Sequence, residues 1–168
     1  MQKNECHADF TVLLNVLNQP ASAAAIIKGD GKHGNISGKV LFYQTPRGVL
    51  VAAEVCGLPG EQDKCKSPVF AFHIHASAPC SGNAQDPFDV VGSHYNPENC
   101  PHPHHAGDLP PLFGNNGYAF LMTLTDRFAV NDIIGKTVII HSSFDDFTTQ
   151  PSGNAGTKIA CGEIKKAV

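Results

Sequence analysis

The stretch "VFAFHIH", residues 69–75, decides the fold, because its side chains alternate in chemistry from one residue to the next. Successive side chains of a β-strand point to opposite faces, so Phe70, Phe72 and Ile74 share one face. Both histidines of the stretch lie on the opposite face. The apolar row predicts a strand packed against a core, with two imidazoles on its other side.

Seven further runs have the same character: they are short, rich in β-branched or aromatic residues, and bounded by Gly, Pro, Asn or Asp. The segments "GDGKHGN" (29–35) and "TPR" (45–47) are typical of hairpin turns. The sequence therefore predicts an all-β fold, an antiparallel sandwich or flattened barrel. The eight predicted strands are 23–29, 36–43, 48–55, 69–75, 109–113, 118–125, 137–141 and 158–164.

Composition and charge agree with one β-rich domain and exclude several functions. The chain has 168 residues, 42% of them hydrophobic, with 16 Gly, 12 Pro and no Trp, which suits many turns between short strands. A net charge of −3 with scattered Lys and Arg makes nucleic acid an unexpected partner. We find neither an apolar run of about 20 residues nor a convincing leader, so we expect no membrane association.

The longest segment without a strand pattern, residues 76–107, is where we expect the function to lie. Most connections in compact domains have about 4–6 residues, and much longer ones are usually functional or disordered. A disordered segment would be polar and charged. This one instead contains most of "SHYNPENCPHPHHAGDLPP" (93–111), which combines four histidines, a cysteine and an aspartate.

Histidines at positions i and i+2 of one strand suggest a metal site. His73 and His75 point the same way, and in "TVIIH" the same alternation separates His141 from its apolar neighbours. A lone histidine in such a position is most often a solvated side chain. Ligation by histidines alone favours Cu(II), whereas histidines mixed with a carboxylate favour zinc, so the chain could carry both kinds of site.

The sequence resembles the copper/zinc superoxide dismutase family. The motifs "FHIH", "HYNP", "HAGDL", "IIGKTVIIH", "DDFTTQPSGNAG" and "IACGEI" occur in that family's order and at its approximate spacing. The resemblance implies an eight-stranded Greek-key β-barrel over residues 23–168, with residues 1–22 as an extension. It also implies bound copper and zinc, conversion of superoxide to O₂ and H₂O₂, and a homodimer as one possible assembly. We expect a cytoplasmic protein, with the periplasm or cell envelope as the alternative.

The resemblance assigns site residues one at a time. His94 of "HYNP" matches the catalytic histidine that bridges the two metals, and His104 is the rival for one zinc position. The other matching ligands are His73, His75 and His141 for copper, and His102, His105 and Asp108 for zinc.

Two further features carry over from the family. Asp145 matches a carboxylate that accepts a proton from a copper histidine and from a zinc histidine, with Asp146 as the alternative. Cys80 and Cys161 match the family's disulfide. The chain-entropy description gives a loop of that length a stabilisation of roughly 4–5 kcal/mol. The family has no counterpart for four other cysteines, which are Cys6, Cys56, Cys65 and Cys100. Cys56 could form a second bridge with Cys65, and Cys100 could compete for metal.

The chain departs from the family at Lys158, where an arginine usually attracts and orients superoxide. Lysine keeps the charge but lacks the planar fork of arginine, so we expect attraction to survive and orientation to suffer. This motivates an alternative function, a catalytically weak relative that binds zinc or buffers copper. A zinc hydrolase is disfavoured because the expected ligands would fill every zinc position.

Overall fold

Eight antiparallel strands form most of the regular structure in the computed structural model, which describes residues 15–60 and 68–167. Together they make one sheet with the order β5-β4-β7-β8-β1-β2-β3-β6. The strands are β1 (Ala23–Gly29), β2 (Ser37–Thr45), β3 (Gly48–Cys56), β4 (Val69–His75), β5 (Asp108–Phe113), β6 (Ala119–Thr125), β7 (Thr137–His141) and β8 (Lys158–Lys166).

The strand order is that of a nearly closed Greek-key barrel. β3 lies beside β6, and β4 lies beside β7. The connections from β3 to β4 and from β6 to β7 therefore cross the barrel, because each joins two strands that are not adjacent in the sheet. The two outermost strands of the sheet, β5 and β6, lie close together. This confirms the predicted all-β antiparallel class and the Greek-key topology that the resemblance implied.

The predicted strands match the observed ones to within two residues at either end. β1, β4 and β7 have the predicted bounds, whereas β2 and β8 continue two residues further because their backbone pairing continues. β5 begins one residue earlier than predicted, at Asp108, which pairs with His73 of β4. The turn predicted at 45–47 joins β2 to β3, and Gly48 closes it with a φ of 122°.

Alternation along the strands fills the inside of the barrel with apolar side chains. Phe70, Phe72 and Ile74 of β4 are 0–2% exposed and belong to the main core, as the sequence predicted. The other strands contribute most of the rest of that core, and residues of the connections, such as Leu58 and Phe128, complete it. Among its largest fully buried members are Ile27, Phe42, Leu112, Ile140, Ile159 and Ile164.

Two long connections leave the barrel on the same side and cover the outer face of β4. The segment 76–107 contains one short 3₁₀ helix, Asp89–Val91, and is joined to β4 by backbone hydrogen bonds from Tyr95 N–H to Ile74 O (2.8 Å) and from Ile74 N–H to Gly107 O (2.9 Å). Residues 142–157 join it there, because Ala71 N–H donates to Ser143 O (2.7 Å). Within the described residues, no helix is long and apolar enough to cross a membrane.

Candidate metal centre

The first cluster of the site consists of four histidines on the outer face of the barrel. His73 and His75 come from β4, and His141 comes from the end of the neighbouring strand β7. His94, from the segment 76–107, is bridged to His75 through the backbone. One nitrogen from each of the four rings lies within 4.8 Å of the others, which is close enough for a single ion.

These histidines are buried, although they face away from the barrel core. His73, His75 and His141 are 0%, 3% and 4% exposed. The two long connections cover them, which the alternation of the strand cannot reveal. A solvated surface role for the strand histidines is therefore wrong.

The second cluster combines three histidines with one carboxylate. His94, His102, His105 and Asp108 offer ligand atoms that all lie within 4.8 Å of one another. Asp108 lies 2.8 Å from His94 Nδ1 and 3.1 Å from His102 Nδ1, and its second oxygen also accepts a hydrogen bond from His105 N–H (3.0 Å). The four side chains are 8% exposed or less. A buried group of three imidazoles and one carboxylate is the kind of ligand set that zinc prefers.

The ring of His94 belongs to both clusters. Its Nδ1 faces Asp108 and lies 3.4 Å from His105 Nδ1, so this nitrogen points into the second cluster. The ring also lies against His73, with 4.0 Å between the ring centroids. Because the two ring nitrogens lie on opposite sides of the imidazole, Nε2 is the atom left for the first cluster. A single side chain therefore connects the two candidate ion positions.

Asp145 connects the clusters a second time, from behind the rings. Its two oxygens lie 2.8 Å from His73 Nε2 and 2.8 Å from His102 Nε2, and Phe147 N–H donates to it at 2.7 Å. Asp146 instead accepts hydrogen bonds from Thr148 and Thr149 within its own exposed turn. The geometry favours Asp145 over Asp146 as the carboxylate that fixes the orientation of both rings.

Gly153 is required behind this carboxylate. It adopts a φ of 67°, and a Cβ at this position would clash with the Asp145 carboxylate and lie 2.7 Å from His102 Nε2. Only glycine combines that backbone conformation with such a close approach. The "PSGNAG" part of the sequence thus supports the site through the absence of a side chain.

The residues present fit metal ions. Among the described residues, buried nitrogens that lack a hydrogen-bond partner include His73 Nδ1 and His94 Nε2. Each belongs to a ring whose other nitrogen is already engaged. Buried polar atoms are rarely left unpaired, so these atoms call for a ligand from outside the chain. A bound cation would satisfy them, because an imidazole binds metal through its neutral nitrogen.

Burial keeps His75 and His141 in the neutral form that binds metal. Burial and then the neighbouring His94 and His141 lower the pKa of His75 to about 2, and burial and then His73 lower the pKa of His141 to about 3. Burial raises the pKa of Asp145, but hydrogen bonds from His73, Phe147 N–H and His102 outweigh it and lower that pKa to about 2. The Asp145 carboxylate is thus ionised, and His75 and His141 are neutral, at physiological pH.

A cavity of about 830 Å³ leads from solvent to the first cluster. Its lining includes His75, His94 and His141 at one end and Lys158 along one side. Lys158 is the first residue of β8 and pairs across the sheet with His141, so it lies next to the first cluster. The sequence did not reveal its partner: the ammonium of Lys158 forms an ion pair with the carboxylate of Asp86.

The remaining cysteines, and His104, lie in several different surroundings. Cys80 and Cys161 form the predicted disulfide between the segment 76–107 and β8. His104 is exposed, which supports its reading as a neighbour of the zinc ligands, and Cys100 is half buried beside them. Cys56 is exposed. Cys6 and Cys65, and with them the proposed second bridge, lie outside the described residues.

Two supporting residues were not found from the sequence. Arg127, just after β6, donates from Nη1 to the carbonyl oxygens of Pro103, His105 and Asp108 at 3.1–3.3 Å. Gln150 exchanges two hydrogen bonds with the backbone of His102, at 2.7 and 3.0 Å. Gln150 lies within the quoted motif "DDFTTQPSGNAG", which gave a signal, whereas nothing local marks Arg127.

Comparisons with known proteins agree with this geometry. The family described as copper/zinc superoxide dismutase matches residues 36–164. A superoxide dismutase [Cu-Zn] of Legionella pneumophila is 36% identical over 136 residues, covering 76% of this chain and 77% of the relative. One of Deinococcus radiodurans is 32% identical over 164 residues, covering 87% and 85%.

A solved structure gives the same result for the fold. The crystal structure of a double mutant of a SOD-like protein from Bacillus subtilis aligns with a TM-score of 0.66 and 28% identity, covering 83% of this chain and 94% of that one. The match to the family extends from the end of the first hairpin turn to the last strand, and it includes all the residues of both clusters. The chain therefore belongs to the copper/zinc superoxide dismutase family.

Proposed function

We propose that this protein converts superoxide to O₂ and H₂O₂, with copper held by the first cluster and zinc by the second. The observation that carries the proposal is the shared ring of His94, which offers one nitrogen to each cluster. Two separate metal sites would not need a common ligand. Relatives named superoxide dismutase [Cu-Zn] share a third of their residues with this chain and support the same activity.

The bound metals supply what side chains cannot: copper exchanges single electrons with superoxide, and zinc contributes fixed positive charge. Around them, the strands β4 and β7 hold His73, His75 and His141 in rigid positions. His75 Nδ1 donates to Gly92 O (2.7 Å), which leaves Nε2 as its ligand atom. This hydrogen bond fixes both the tautomer and the direction of the ring.

His94 is also suited to supply a proton to the product. Dismutation consumes two protons for each H₂O₂ released, so the site needs a group that can give up a proton near the first cluster. The Nε2 atom of His94 has no hydrogen-bond partner among the described residues, while Nδ1 stays beside Asp108. Nε2 can therefore carry a proton and release it into the cavity without the ring leaving the second cluster.

The test is to measure bound copper and zinc and then assay superoxide dismutation by the loaded protein. We expect about one ion of each metal per chain and activity far above that of the same amount of free copper. In His75→Ala, copper and activity should be lost, because one of the four ligands of the first cluster is removed. Zinc should be retained, since His75 belongs to that cluster alone.

His104→Ala is the matched control, because His104 is an exposed histidine of the same segment that belongs to neither cluster. It should retain both metals and full activity. Stoichiometric copper without activity above the free-copper control would contradict the proposed function. Loss of copper in His104→Ala as severe as in His75→Ala would contradict the assignment of the ligands.

A further inference from the structure

The ion pair between Lys158 and Asp86 lies in the path that an anion must take to the first cluster. Both residues line the cavity of about 830 Å³ that also exposes His75 and His141. Lys158 has only 15% of its side chain exposed, and its ammonium contacts Asp86 Oδ2. The cation that would attract a small anion is therefore already neutralised by a carboxylate of the same cavity.

Asp86 is held by backbone hydrogen bonds of its own turn, whereas the hydrogen bond described for the Lys158 ammonium is the one to Asp86. Asp86 Oδ1 accepts a hydrogen bond from Phe88 N–H (3.0 Å), and the backbone N–H of Asp86 donates to Asn83 Oδ1 (3.0 Å). These contacts fix the carboxylate within its turn. The ammonium, in contrast, stands at the end of a four-carbon chain and can leave its partner by rotation about single bonds.

The other charged groups of the cavity do not replace this cation. Lys32 and Asp30 also line it, and the Asp30 carboxylate accepts hydrogen bonds from the backbone N–H groups of Lys32 and His33 at 2.8 and 2.7 Å. Lys158, however, is the cavity lysine that pairs with His141 across β7 and β8. Whether its ammonium is paired with Asp86 or turned toward an incoming anion thus decides how strongly the cavity attracts that anion near His141.

We propose that Asp86 and Lys158 form an electrostatic latch that limits the entry of small anions, superoxide included, until the ammonium turns from Asp86 to the anion. The proposal rests on the proposed function for its substrate. Asp86 is then a positioning residue, which acts on the anion through Lys158. The latch also connects the segment 76–107 to β8, next to the covalent connection made by Cys80 and Cys161.

The substitution Asp86→Asn tests the latch with little disturbance of the turn. The amide oxygen can still accept the hydrogen bond from Phe88 N–H, while the negative charge is lost. Asp89→Asn is the matched control, because it removes the same charge from an exposed position three residues away. Asp86→Glu restores the carboxylate and tests rescue.

Two measurements test the latch, an anion affinity and a rate of lysine modification. The first is the affinity of the copper-loaded protein for azide, a small anion, by optical titration at low ionic strength. For an anion bound about 6 Å from the removed unit charge, an effective dielectric constant of about 40–80 gives azide binding that is tighter by about 3- to 10-fold. The second is the rate at which an acylating reagent modifies Lys158 in the metal-free protein, followed by mass spectrometry, and it should rise several-fold in Asp86→Asn.

The outcomes separate the latch from the proposed function. Tighter azide binding and faster acylation in Asp86→Asn, with Asp89→Asn unchanged and Asp86→Glu close to the original protein, support the latch. An Asp86→Asn variant that matches Asp89→Asn in either measurement overturns it. Absence of dismutation by the unmodified, copper-loaded protein overturns the proposed function instead, because neither latch measurement depends on turnover.

Discussion

Replacement of Asp145 by asparagine should weaken copper binding more than zinc binding. The carboxylate accepts three hydrogen bonds: Phe147 N–H (2.7 Å) and His102 Nε2 (2.8 Å) meet Oδ1, and His73 Nε2 (2.8 Å) meets Oδ2. An amide has only one acceptor oxygen. That oxygen should keep the Oδ1 position, since the opposite orientation would place the NH₂ group against two donors instead of one.

The amide NH₂ of Asp145→Asn then faces His73 Nε2, which must turn from donor to acceptor. The ring can do so only if its proton moves to Nδ1, the buried atom that the geometry assigns to copper. Loss of such an orienting contact typically reduces metal affinity by about 10- to 100-fold. We expect a loss of this size for copper and a smaller one for zinc, together with about 1.5–3 kcal/mol less free energy of unfolding in the metal-free protein.

Competition with chelators of known affinity gives both metal affinities, and urea unfolding of the metal-free protein gives the stability. Asp146→Asn serves as the control, because Asp146 is a neighbouring carboxylate whose contacts stay within an exposed turn. The reasoning is refuted if Asp145→Asn binds both metals like the original protein. It is equally refuted if zinc suffers more than copper, or if Asp146→Asn has the larger effect.

Two further predictions concern stability. The pKa values of His75 (about 2) and His141 (about 3) lie below their ordinary value of 6.5. The unfolded metal-free chain therefore binds more protons than the folded one below pH 6.5, so the free energy of unfolding should decrease as the pH is lowered. Each of these two histidines should remove about 2 kcal/mol of the free energy of unfolding between pH 7 and 5, so His141→Gln should reduce the measured slope over that range by about 1 kcal/mol per pH unit; an unchanged slope would contradict this. Replacing both Cys80 and Cys161 by serine should lower the free energy of unfolding by about 2–5 kcal/mol in urea, because 81 residues of chain separation lose their covalent closure. Cys100→Ser should change it far less, and an equal loss in both variants would exclude a special role of the disulfide.

The strands could be predicted from the sequence because their signal is local. Alternation in "VFAFHIH" identifies β4 and its inner face from seven residues alone, and the structure confirms both. The ends of β2 and β8 were predicted two residues too early, since pairing with a neighbouring strand extends them past the apolar pattern. The strand histidines were placed on the correct face, but their burial depends on connections that the pattern of one strand cannot show.

Contacts between distant parts of the chain explain what the sequence did not reveal. Asp86 and Lys158 are separated by 72 residues, and neither stands in a pattern that indicates the other. We expected the charge of Lys158 to attract superoxide; the structure shows that this charge already has a partner. Arg127 was missed for the same reason, because its three acceptors belong to a segment about 20 residues away in sequence.

The contacts of Arg127 and Gln150 have a consequence for the entropy of metal binding. Fixing the backbone of one residue costs about 1–2 kcal/mol, so ordering the segment 101–108 at the moment of binding would cost on the order of 10 kcal/mol. Arg127 and Gln150 hold this segment at His102, His105 and Asp108 through the protein's own hydrogen bonds. This segment is thus ordered when the barrel folds, before the ion binds, so little of that entropy is lost on binding. Arg127 and Gln150 therefore increase the affinity for the ion without touching it.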